Sequence, residues 1–98
     1  MNYNYILIFC AYWLGNPEET YQWNAIRMRD FDRLDKFAKS LRRGFKKDNT
    51  VLLGMRIVKT ESESRSKCFE EADKIANGTQ EEIENAYDSL PIVKNYKR

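Results

Sequence analysis

The run Tyr5-Ile6-Leu7-Ile8-Phe9-Cys10-Ala11-Tyr12-Trp13-Leu14 constrains this chain more than any other stretch. Ten residues without a charge, rich in aromatic and branched types, fit a strand buried on both faces. Such a strand lies inside a sheet, so the rest of the chain must flank its edges and cover its faces. Gly15-Asn16-Pro17-Glu18-Glu19 reads as a turn, because Pro fixes φ while Gly and Asn tolerate positive φ. Thr20 to Met28 then returns, making a β-hairpin of Asn4 to Met28. In the returning strand Tyr21, Trp23 and Ala25 alternate with Gln22 and Asn24, after which the apolar parity passes to Ile26 and Met28. That change of phase predicts a bulge near Ala25.

Beyond the hairpin, Asp30 reads as the cap of a helix. Its apolar residues Phe31, Leu34, Phe37, Ala38, Leu41 and Phe45 fall on one stripe, and Gly44 is the expected stop. The opposite side carries Arg33, Lys36, Ser40, Arg43 and Lys47, a basic ridge. Asp48-Asn49 is a turn. Thr50 to Lys59 reads as a third strand, with Val51, Leu53, Met55 and Ile57 on the core face and Leu52, Gly54, Arg56 and Val58 on the other. Thr60-x-x-Glu63 has the form of a capping box, so Glu61 to Ser66 is expected to open a helix whose inner face holds Cys68, Phe69, Ala72, Ile75 and Ala76. Asn77-Gly78 ends it. Thr79-x-x-Glu82 opens a last helix with Ile83, Ala86, Tyr87 and Leu90 inward, closed by Pro91. The tail from Ile92 adds a short edge strand or frays.

The expected fold class is α+β. It comprises a small three-stranded, mainly antiparallel sheet in the order 2-1-3, with β-β-α-β-α-α topology and helices packed on the sheet. A right-handed crossover through the first helix sets strands two and three parallel with strand one between them. One sheet face receives that helix; the other needs the last two helices or a second copy of the chain.

Ninety-eight residues, 42% hydrophobic and 33% charged, make one globular domain spanning 1–98. Cys10 and Cys68 read as buried small hydrophobes rather than a disulfide, which fits a reducing compartment. No Lys or Arg precedes the apolar run, and ten apolar residues are too few for a bilayer, so a cytoplasmic protein without membrane association is expected.

Catalytic signatures are missing. Histidine is absent, which removes the commonest general base and metal ligand, and two cysteines alone cannot complete a tetrahedral zinc site. The carboxylate pairs Glu18/Glu19, Glu70/Glu71 and Glu81/Glu82 are sequence neighbours that do not face one another on a helix. With four glycines there is no phosphate loop and no nucleophile elbow. The expectation is a non-enzymatic protein with no cofactor and no metal.

The net charge of +2 hides an asymmetry: Arg27 to Lys59 carries eleven basic residues against four acidic, and Thr60 to Leu90 three against nine. Two readings follow. In the first, the protein occupies the surface of a partner protein, in the manner of the small inhibitors with which phages and mobile elements block host factors, and forms a homodimer or larger oligomer. In the second, Arg27, Arg33, Lys36, Arg43, Lys47 and Arg56 hold phosphate while Trp13, Tyr21 or Trp23 stacks on a base, which would sequester a nucleotide or bind single-stranded nucleic acid.

Overall fold

The computed structural model describes residues 1–15 and 20–96. In chain order the elements are β1 (Asn2–Trp13), β2 (Gln22–Met28), α1 (Phe31–Lys47), β3 (Thr50–Ser62), α2 (Arg65–Ala76), α3 (Gln80–Ser89) and β4 (Ile92–Tyr96). They form an α+β fold around one antiparallel sheet in the order β2-β1-β3-β4. The sheet thus has four strands, not three: the tail pairs with β3, and β1 keeps its expected place between β2 and β3.

β1 is buried from Ile6 to Ala11 because both sheet faces are covered. On one face Leu7, Phe9 and Ala11 meet Leu34 and Ala38 of α1, Met55 and Ile57 of β3, and Tyr96 of β4. On the other, Ile6, Ile8 and Val58 meet Ala72 of α2 and Ile83 and Ala86 of α3. The second cover is therefore supplied by the last two helices of the same chain.

This two-sided core explains the parity change in β2. Trp23 and Ala25 pack toward α2 and α3, while Ile26 and Met28 pack toward α1. The pairing of β2 with β1 runs unbroken from Tyr5↔Met28 to Ala11↔Gln22, so there is no bulge near Ala25. The bulge lies in β3 instead, where Cys10 faces Gly54 and Ala11 faces Leu52, leaving Leu53 as the extra residue. Leu52 consequently joins Met55 and Ile57 in the α1 cluster, and the odd-numbered face of β3 is not continuous core.

Four helix boundaries follow from caps. The Asp30 carboxylate accepts from the backbone N–H groups of Asp32 and Arg33 at the start of α1, as its sequence implies. Gly44 does not stop that helix, which continues one turn to Lys47 and ends as Asp48 N–H bonds the Gly44 carbonyl. Asn49, at φ 54°, then reverses the chain. The Thr60 box does not form: β3 continues to Ser62, and α2 starts later, capped by Ser64. Thr60 is buried, and its hydroxyl donates to the Cys68 carbonyl (3.1 Å). Both halves of the Thr79/Glu82 box are present on α3. The turn residues Asn16 to Glu19 and the last two residues lie outside the described part.

Candidate functional site

The residues expected to hold an anion are divided between the two sides of the sheet. Arg33, Lys36, Arg43 and Lys47 stand exposed on the outer side of α1 and form no ion pair with the described residues. Arg27 and Arg56 project from the opposite face, where each is occupied internally. The Arg27 guanidinium lies 4.2 Å from the Phe69 ring centre, with Nε 3.6 Å from Asp73. Arg56 lies 4.2 Å over the Tyr87 ring, donates to the Tyr87 carbonyl (3.1 Å) and donates to Asn95 Oδ1 (3.3 Å).

The aromatic trio divides in the same way. Trp23 packs against Tyr87 with ring centres 4.9 Å apart. The Gln80 carboxamide pairs with the Trp23 backbone, accepting from its N–H (2.6 Å) and donating to its C=O (2.9 Å), so the β2 edge is closed there by a side chain acting as a strand. Tyr21 meets Tyr12 edge-on at 4.5 Å. Trp13 lies on the α1 side of the sheet, opposite Thr50 and in one groove with Phe45 of α1.

That end is the least covered part of the sheet. Trp13 is 57% exposed, Leu14 51% and Tyr21 48%, although the sheet centre beside them is buried. A groove of about 260 Å³ runs between Phe9, Ala11 and Trp13 of β1, Gln22 and Asn24 of β2, and Phe45 and Thr50. Phe45 and Thr50 also border a hollow beside Lys46, which adjoins a second hollow formed with Lys39 and Arg43. The Leu14 N–H donates to the Asn49 carbonyl (3.0 Å), which holds the hairpin end against the α1–β3 turn. Trp13 and the basic end of α1 are therefore joined through Phe45, Thr50 and Lys46, while Tyr21, packed on Tyr12, lies on the opposite face of the sheet.

A second concave feature was not legible in the sequence. A cleft of about 700 Å³ lies at the start of α2, lined by Asn4, Arg29, Ser64, Arg65, Ser66, Phe69 and Glu70. Asn4, 3% exposed, donates from Nδ2 to Cys68 Sγ (3.4 Å), while its carbonyl Oδ1 is buried without a hydrogen-bond partner. The usable signal was Ser64-Arg65-Ser66-Lys67, a helix start without an acidic residue, hidden by the expectation that Thr60 was the cap.

Neither thiol is set up as a nucleophile. Both cysteines are free and buried, and the Cys10 thiol is pushed up by burial and then by the Glu84 carboxylate. Among the described residues no group of three or more His, Cys, Asp or Glu side chains could hold a metal ion, and no helix is long and apolar enough to cross a membrane. No family model, curated protein or solved structure matches this chain.

Proposed function

We propose that this protein is a non-enzymatic binding protein that attaches to a partner protein through the hairpin end of its sheet. The observation that carries this reading is the exposure of Trp13 beside an open groove, with Leu14 and Tyr21 also exposed at the same hairpin end, in a sheet whose centre is buried on both faces. Large aromatics are costly to leave wet and are the residue types that dominate binding energy at protein interfaces. The cations Lys46 and, beyond it, Arg43 set the partner's character: an acidic surface offering an apolar side chain to the groove. One chain is sufficient for the task, because α2 and α3 already cover the face that would otherwise call for a second copy.

The nucleotide and nucleic-acid reading has less geometric support at the residues expected to carry it, since Arg27 and Arg56 are held on the opposite side from the α1 ridge. The test is affinity capture with the intact protein in parallel with Trp13→Ala and Lys46→Glu. A protein retained by the wild type and lost by both variants, each with an unchanged circular dichroism spectrum, is the expected result. Retention of the same protein by both variants overturns the assignment of this surface.

A further inference from the structure

We infer that this chain assembles head to tail, the exposed flank of α1 in one copy docking in the groove between α2 and α3 of a second copy. The contact uses neither Trp13 nor the hairpin-end groove, so it stands apart from the partner surface described above. The two sides of the molecule are opposite in charge. Helix α1 carries seven basic residues against two acidic, whereas α3 carries four acidic residues and no basic one. They cover opposite faces of the sheet, so each copy presents a cationic helix on one side and an anionic helix on the other. Arg33 and Lys36 of α1, Glu71 of α2 and Glu81, Glu84 and Asp88 of α3 are all exposed, and none forms an ion pair with the described residues. Such charges remain available to a complementary surface.

The acidic side also holds a recess. A groove of about 370 Å³ runs between α2 and α3, with Ile75, Ala86 and Leu90 as its apolar lining, all part of the cluster beneath those helices. Glu71 and Glu82 stand in the same lining, and Lys74 is the only cation there.

The basic side offers what the recess lacks. Phe37 is the residue of the α1 stripe that the core does not take: it is exposed, while Phe31, Leu34, Ala38, Leu41 and Phe45 all pack on the sheet. Helical spacing sets Arg33 one turn before it and Ser40 nearly one turn after, on the side of the basic ridge. Aromatic and arginine side chains together dominate the energy of protein interfaces, chiefly when the ring enters a pocket. In the assembly the Phe37 ring meets Ile75 and Leu90 of the next copy, and Arg33 and Lys36 face its Glu71 and Glu82.

The occupant is a second copy because one chain holds both complementary halves. A two-fold contact would set α1 against α1 or α3 against α3, like charge on like. The halves lie on opposite sides of the sheet, so a pair of copies satisfies one contact and leaves a free surface at each end. Assembly therefore continues beyond two chains.

Sedimentation equilibrium of the full chain at low and high salt tests this, with two variants. Arg33→Ala/Phe37→Ala removes the docking flank, and the exposed change Glu71→Lys spoils the groove. At low salt the wild-type average mass is expected to rise with protein concentration past two chains, and at high salt to fall toward one. Each variant alone is expected to stay at one chain. Their equimolar mixture, which joins the intact flank of one to the intact groove of the other, is expected to reach two chains and no more. Trp13→Ala is expected to assemble as the wild type does. A wild type that stays at one chain or stops at two overturns the inference. So does wild-type-like assembly of either variant alone, failure to pair in a mixture of variants with unchanged circular dichroism spectra, or loss of assembly in Trp13→Ala.

Discussion

Asp35 on α1 is the side chain that joins the tail of the chain to the rest. Its carboxylate accepts from Lys94 Nζ (2.7 Å) and the Tyr96 hydroxyl, both on β4, and pairs with Lys39 Nζ (3.1 Å) one turn along its own helix. The Lys94 hydrogen bond, with the Tyr96 hydroxyl next, holds the Asp35 carboxyl well below the usual carboxylate range; burial and then Asp35 push the Tyr96 phenol up. In the unfolded chain Asp35 returns to about pKa 4. Below that value the unfolded state binds the extra proton, so the contribution is complete above about pH 4 and fades as pH falls toward the lower folded value. Asp35→Asn is expected to lose about 1–2 kcal/mol at pH 7, a modest figure because the lysine ends reach solvent. It should also reduce the loss of stability between pH 5 and about pH 2. Urea unfolding across that range checks both; an unchanged pH profile in the variant would remove Asp35 from the account. None of this was legible in the sequence, because Asp35 lies on a helix flank and its partners are about sixty positions away in a tail that reads as a short edge strand at most.

At the scale of elements, periodicity located each helix and strand where a single cover was involved and misled where two covers meet. The α1 stripe, apart from Phe37, which is exposed, and the Thr79 box are local signals and needed nothing from the rest of the chain. In β2 and β3, by contrast, one strand contributes to two clusters, so its apolar residues change parity for reasons that lie on other elements. The bulge at Leu53 has a further consequence at Gly54, whose missing side chain admits Tyr87 against the sheet. A Cβ there would fall on the Tyr87 hydroxyl, and the ring cannot swing aside freely because Trp23 packs against it and Arg56 covers it. Gly54→Ala is therefore expected to destabilise the fold by about 1–3 kcal/mol, the usual size of overpacking, although alanine suits a strand better than glycine. Thermal melting of the variant checks this. A neutral or raised melting temperature would show that α3 is not seated by that contact.

Across the whole molecule the surface is divided between covered sheet faces and one open end. The centre of the sheet is closed by α1 on one side and by α2 and α3 on the other, leaving the hairpin end open and bordered by cations. The sequence disclosed the ingredients, an aromatic hairpin and a basic ridge, because both are runs within single elements. It did not disclose that the Trp13 groove leads past Phe45 and Thr50 to Lys46 while Arg27, Arg56 and Trp23 lie behind the sheet, since that partition depends on strand parity and on α2 and α3 covering the rear face. A surface combining a desolvated anchor with flanking charge has a recognisable binding signature: loss of the anchor raises the off-rate, and added salt weakens association by screening the rim. The most direct test is calorimetric titration of the captured partner, purified, against the wild type and Trp13→Ala at low and high salt. The expected result is one partner per chain, an affinity about tenfold or more weaker in the variant, and weaker wild-type binding at high salt. Equal affinity in both proteins, insensitive to salt, would contradict it.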